Sequence, residues 1–248
     1  EGTSRLVLAN RILFPVIVLI LLLLPTFAGE KIIMICLLIM LYMSLGQTWN
    51  LLAGYTGLVS LGHQIFVGFG GYSLAVISEV YNLNIFLGIF VGGVISVLFS
   101  LVISRPLFKM KGVYFTIGSW VIAETLALFF VNWKYVRSGI GFNITATYDL
   151  SSTYLYYISL VVGLGSVLLV YGIMRSKRGL AIMAMRDNEM AAQVMGVELY
   201  RTKLLIFLIT SFVTGVTGGV MYLFLSFIQP QAAFSIDWTV ASVFIVII

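Results

Sequence analysis

Apolar runs about twenty residues long recur along this 248-residue chain, separated by short polar links. As a helix, such a run crosses the ~30 Å hydrocarbon core of a bilayer, where only helices and closed barrels satisfy their own backbone. A barrel needs alternating strands of about ten residues, and that pattern is absent. With 61% hydrophobic and 9% charged residues, the composition excludes a soluble domain. The expected fold is therefore all-α, a polytopic membrane helix bundle with about seven to eight transmembrane segments in one domain over residues 1–248. Cys36 is the only cysteine, so neither an intramolecular disulfide nor a thiolate metal cluster is available. The net charge of +5 is explained by membrane orientation, and no nucleic-acid partner is expected.

In chain order, Arg5 and Arg11 precede a first run, Ile12–Ala28, and a second, Ile32–Leu52, follows after Gly29, Glu30 and Lys31. A charged start and an apolar core also fit a signal peptide. The closely following second run makes a hairpin of two spanning helices the simpler reading. Ala53 to His63 then holds three glycines, a poor spanning helix but a good turn or broken segment, and whether 54–62 is re-entrant stays open. A third run extends from about His63 to Tyr81 and a fourth over Ile85–Ser104, where Gly88 and Gly92 share one face for close helix contact. After the basic loop Arg105–Lys111, the fifth run is Val113–Asn132 and the sixth Tyr154–Met174. A seventh, Leu204–Phe227, repeats Ser211, Gly215 and Gly219 every fourth residue as a packing stripe. Gln229-Pro230 breaks the chain. The eighth run starts at Trp238, and its eleven residues at 1.5 Å each fall short of ~30 Å, so it reads as truncated.

The most polar stretch is Arg175–Lys203, which carries nine charges between the sixth and seventh runs. Within it Asn188 suits an N-cap, Glu189 a first turn and Gly196 a helix end. On a helical wheel Met190, Ala191, Val194 and Met195 share one arc, and Glu189, Ala192, Gln193 and Gly196 the opposite one. A helix this short needs support, so the apolar arc is expected to rest on the membrane helices and the small, polar arc to face the cytoplasm. A solvated loop that only sets topology is the other reading. With the N-terminus cytoplasmic, eleven of the fourteen Lys and Arg fall on the cytoplasmic side, with Lys31, Lys134 and Arg137 outside.

Two ionisable residues stand out within the runs. Glu124 lies about 17 Å into the fifth span. A carboxylate there is costly unless paired, protonated or facing water, so it is either a functional group or a protonated hydrogen-bond donor that holds a neighbouring helix. His63, the only histidine, suits a structural hydrogen bond better than proton transfer, and a His63–Glu124 pair would require His63 to be drawn deeper. Nucleotide-binding, zinc-protease, potassium-filter and nucleophile-turn motifs are all absent from the sequence. No catalytic residue, metal or cofactor is expected.

Gly54-Tyr55-Thr56-Gly57-Leu58-Val59-Ser60-Leu61-Gly62-His63, followed by the aromatic and glycine-rich Phe66–Tyr72, resembles the permease subunits of branched-chain amino acid ABC importers of the LivM type. Arg186 to Gly196 looks like the loop that docks on the ATPase in that family. Lys111–Phe115, the Glu124 helix and Tyr200–Phe207 also match, so the resemblance runs from about residue 30 to the end. It implies transport of leucine, isoleucine or valine across the inner membrane of a prokaryote. The implied partners are a LivH-like second permease subunit, two cytoplasmic ATPase subunits and an extracytoplasmic solute-binding protein. By the same resemblance the coupling segment is 175–203. Arg186, Asp187, Asn188, Glu189, Ala191, Ala192 and Gly196 would meet the ATPase, with Ala192 and Gly196 entering a groove and Glu189 facing a basic residue there. Ser60, Gly62, His63 and Glu124 are the pathway candidates. Met190, Gln193 and Met195 depart from the commonest residues of the family, and its further helices beyond the eighth run are missing. A urea or short-amide permease and a solute-selective channel are the alternatives.

Overall fold

The computed structural model describes residues 2–147 and 150–248. Asp149 lies outside them, and the side chains of Arg5, Arg11 and Arg137 lie outside the described side chains. Among the described residues, six helical segments are long and apolar enough to cross a membrane. α1 (Gly2–Phe27) is followed after a short link by α2 (Glu30–Asn50), which runs on through a π turn at Leu51–Tyr55; the end of α1 is held by Tyr156 and Tyr157, whose hydroxyls donate to the Leu21 and Leu22 carbonyls at 2.7 and 3.1 Å. α3 (His63–Ala75) also ends in a π turn, Val76–Val80. α4 (Ile85–Leu107), α5 (Val113–Asn132) and α6 (Ser152–Met174) follow. Asn84 caps α4 by accepting from the Phe86 amide at 2.9 Å, and Ser151 caps α6. α7 (Lys177–Asp187) and α8 (Glu189–Val194) are short and lie at the basic end of the bundle, before α9 (Leu199–Leu225) returns through it.

α3 is the axis of the bundle. All thirteen of its residues are buried, among them His63, Gln64 and Ser73. Its glycines allow this, because helices in lipid associate through close packing and local hydrogen bonds rather than by expelling water. A Cβ on Gly70 would stand 1.9 Å from the Gly215 carbonyl oxygen of α9, and one on Gly92 of α4 would stand 2.8 Å from Gly70 Cα. The expected stripes on α4 and α9 are thus both used: Gly88 and Gly92 of α4 lie against α3, and Ser211, Gly215 and Gly219 of α9 lie mainly against α4, beside Gly70 of α3. Hydroxyl pairs add to the seams: Ser44 with Thr217 at 2.8 Å, Thr48 with Thr214 at 3.1 Å and Ser100 with Ser211 at 3.0 Å.

The polar link after α5 contains short 3₁₀ turns and β1 (Phe142–Asn143), which pairs antiparallel with β2 (Phe227–Ile228), Phe142 opposite Ile228. Glu79 ties this end down by accepting from the Thr145 amide at 2.7 Å and its hydroxyl at 2.9 Å. One expectation is corrected at the eighth run. Gln229-Pro230 does not precede it as a loop, because Pro230 opens a helix at the position where its missing N–H costs nothing. α10 (Pro230–Ala233) and α11 (Asp237–Ile247) together form a broken helix of 18 residues, long enough to cross.

Candidate functional site

At the basic end the two sequence stretches singled out above come into contact. The turn at 56–62 is held from both sides. Trp49 Nε1 of α2 donates to the Ser60 carbonyl at 3.1 Å, and from α5 the Thr116 hydroxyl donates to the Val59 carbonyl at 2.7 Å. The Leu61 amide donates to Ser119 Oγ at 3.0 Å, and Gly62 sits so close to Ser119 that an added Cβ would be 2.8 Å from its carbonyl oxygen. Gly57 takes φ +76°, a left-handed conformation that glycine adopts without strain. From α7, Arg186 Nη1 donates to the Gly54 carbonyl at 3.2 Å while its Nε and Nη2 reach Asp187 at 3.3 Å.

Asn188 caps α8 as expected, its side chain accepting from the Ala191 amide at 3.1 Å. Gly196, at φ +89°, closes the helix: the Val197 amide reaches the Ala192 carbonyl and the Gly196 amide the Gln193 carbonyl, both at 3.0 Å. The apolar arc does not rest on the membrane helices as expected, and Ala192 of the other arc is the buried residue, while Gln193 and Gly196 are exposed as expected. Ala192 is fully buried, whereas Met190, Val194 and Met195 are 80%, 90% and 71% exposed. Glu189 meets Lys203 of α9 at 2.6 Å, its own side chain 44% exposed and that of the lysine only 11%. The small face of a two-turn helix allows the closest approach to α9, and the ion pair holds it there. α8 therefore presents an apolar knob outward. Between it, the glycine-rich turn and the start of α5 lies a cleft of about 590 Å³ lined by Gly57, Val59, Lys111, Thr116, Glu189 and Lys203, among others.

The four pathway candidates separate. Ser60, Gly62 and His63 stay together and are buried, with Ser60 Oγ accepting from the Gly62 amide at 3.2 Å. The hydrogen bond expected of His63 is not made. Neither ring nitrogen has a partner among the described residues, and its nearest ring is Phe66, edge-on at 6.3 Å. Beside it the Gln64 carboxamide oxygen accepts from the Thr239 hydroxyl of α11. Among the described residues, Glu124 makes no hydrogen bond or ion pair to His63 or to a neighbouring helix. It is exposed, and its one hydrogen bond comes from Trp120 Nε1 of its own helix at 3.1 Å. Asp237 was missed by the sequence reading. It lies inside the 18-residue broken helix, exposed, with the Ser235 hydroxyl donating to it at 2.7 Å. The available signal was an acid within that window, hidden by treating Gln229-Pro230 as a boundary.

These features define a multi-pass helical membrane protein with a glycine-packed interior and a short helical segment offered at its basic end. Residues 31–248 match the family described as branched-chain amino acid transport system / permease component, and the chain belongs to that family. It is 24% identical over 238 residues to the high-affinity branched-chain amino acid transport system permease protein LivM of Escherichia coli (strain K12), covering 84% of this chain and 56% of that one. To the protein of the same name from Salmonella typhimurium (strain LT2) it is 22% identical over 223 residues, covering 78% and 52%. The chain thus spans about half the length of these curated relatives. No solved structure matches it.

Proposed function

We propose that this chain is a permease subunit of an ATP-driven importer of leucine, isoleucine and valine, acting as one transmembrane domain. On this reading it sits in the cytoplasmic membrane of a prokaryote with its N-terminus and basic end in the cytoplasm. Eleven of fourteen Lys and Arg on one side support that orientation. It works with a LivH-like second permease, two ATPase subunits that carry out the ATP chemistry, and an extracytoplasmic binding protein that selects the solute.

The observation that carries the reading is the apolar knob of α8. Met190, Val194 and Met195 are exposed at the end of the molecule that the charges place in water, and such a patch marks a docking surface. Methionines suit it, being flexible enough to fit a groove. Behind the knob the contacts are polar and specific. Lys203 ties α8 to α9, and Arg186 ties α7 to the glycine-rich turn, which Thr116 and Ser119 tie to α5. A displacement of α8 by nucleotide-driven closure of the ATPases is thereby passed to α9 and α5, shifting the permease between outward- and inward-facing states.

The test is Met190→Asp with Val194→Asp in the assembled transporter. We expect the ATPases to stop co-purifying in mild detergent and leucine uptake to be lost, while the melting temperature of the permease stays where it was. Retained ATPases and uptake would sink the coupling assignment. A wild-type chain that purifies without ATPases while conducting solute would favour the channel reading.

A further inference from the structure

Among the described residues, four buried side chains hold polar atoms without a hydrogen-bond partner: His63, Gln64 and Tyr72 of α3, and Tyr222 of α9. Three of the four converge on one place, the break between α10 and α11. The Gln64 amide donates to the Thr239 hydroxyl of α11 at 3.3 Å and its carboxamide oxygen accepts from that hydroxyl, while Nε2 stays unpaired. Tyr72 stacks on Phe234, ring centroids 6.0 Å apart, and Tyr222 meets Trp238 edge-on at 6.1 Å. Glycines let these side chains in. A Cβ on Gly68 would stand 2.3 Å from the Phe234 ring, and one on Gly71 would stand 2.3 Å from that of Tyr222. The break has polar needs of its own, because a helix end leaves its last carbonyls without amides. Trp238 gives its one N–H to the Ala232 carbonyl at 2.8 Å, so it does not serve Tyr222. Among the described residues no amide donates to the carbonyls of Ala233 and Phe234, and both residues are buried.

Tyr156 shows what the bundle does with a buried phenol that protein can serve. It too is fully buried, and its hydroxyl donates to the Leu21 carbonyl at 2.7 Å. A buried polar group pairs with protein or with ordered water, and inside a membrane bundle the cost of neither is high. Around Tyr72 the neighbours are rings. Phe130 and Phe234 each touch Phe69 and Tyr72, with centroids 4.8 to 6.2 Å apart, and such packing admits only a very small partner. Gln64 Nε2 can only donate, the freed carbonyls can only accept, and the tyrosine hydroxyls do both. Water alone is small enough and does both. We propose that the break between α10 and α11 is an internal water site, where ordered waters join the Tyr72 and Tyr222 hydroxyls and the Gln64 carboxamide to the freed carbonyls. Gln64 and Tyr72 lie eight residues apart on α3, or about 12 Å, so the site holds more than one water. These waters tie α11 to α3 and α9 through partners that can be exchanged when α11 shifts. Every group of the site is buried by this chain itself, so the inference depends neither on the solute nor on a partner subunit.

The experiment is hydroxyl-radical footprinting by X-ray radiolysis of the whole transporter in lipid nanodiscs and isotopically labelled water, read residue by residue by mass spectrometry. Radicals form from water and react where they form, so a buried ring is modified only beside water. Tyr72, Tyr222 and Trp238 are expected to be modified several times faster than the equally enclosed Tyr156, with rates unchanged when leucine is added to saturation. Rates no higher than that of Tyr156 would overturn the proposal. Protection by leucine would overturn it as well, because solute rather than water would then occupy the break. Thermal melting of Tyr72→Phe and Tyr222→Phe gives an independent reading. Removing a hydroxyl bonded to water loses that bond, so both variants should melt below wild type. Removing a buried hydroxyl that has no partner relieves a penalty, so either variant melting at or above wild type would defeat the water assignment.

Discussion

α3 and α5 are neighbours in the bundle, yet they solve the membrane problem in opposite ways. α3 carries His63, Gln64, Ser73 and three glycines, is not among the six helices apolar enough to be recognised as spans, and is buried along its whole length. α5 is recognisably apolar, buries a single stripe and exposes a carboxylate in mid-span. Hydropathy reports contact with lipid, not depth in the bilayer. A helix enclosed by other helices can be polar and small, provided its neighbours approach closely. One at the rim must be apolar wherever it meets lipid, so a charge there marks the place where lipid is not the neighbour.

The contrast can be broken most severely at Gly70. In Gly70→Ala the new Cβ would fall on backbone atoms of α9 that cannot step aside. We expect a loss of at least about 3 kcal/mol, seen as failure to recover a monodisperse protein in detergent. If Gly70→Ala melts like wild type, α3 is not the packed axis described. Next in size is Glu124→Leu. It removes an unpaired exposed carboxylate, so the isolated chain should melt no lower, while the assembled transporter loses most of its uptake; unchanged uptake would make the α5 face ordinary lipid surface. Ser119→Ala removes the acceptor of the Leu61 amide and should cost about 1 kcal/mol in thermal melting. A drop of several times that size would mean that Ser119 does more than anchor the turn. The smallest effect is expected at Leu128→Ala. On the outward face of α5 it should leave the isolated chain within about 0.5 kcal/mol of wild type, and a larger loss would show that this side is packed after all.

Much of the fold is legible in the sequence because the bilayer sets the length of its elements. The helix boundaries at the short link after α1, the small-residue stripes of α4 and α9, and the Asn188 cap and Gly196 stop of α8 follow from local rules that need no partner. The site is less legible. The wheel of residues 189–196 does not show that Ala192 is the one to be buried, since the seating of α8 depends on a lysine fourteen residues beyond Glu189 on another helix. The contact of Arg186 with Gly54 joins residues 132 apart, and nothing in either stretch announces the other. Asp237 was hidden because a proline that starts a helix and one that ends a run look alike in a sequence.

What the sequence alone determined is a polytopic helical membrane chain, its basic segments and the glycines that permit close helix packing, because these follow from hydrophobic length, charge and residue size. What only the tertiary structure decided is direction. It placed the polar α3 inside and turned Glu124 out, set the methionines of α8 outward and its alanine in, and joined the glycine-rich turn to α7. The physical reason is that a helix has one periodicity but many possible neighbours. Which face is buried is fixed only when the small side chains, ion pairs and hydroxyls of distant segments meet.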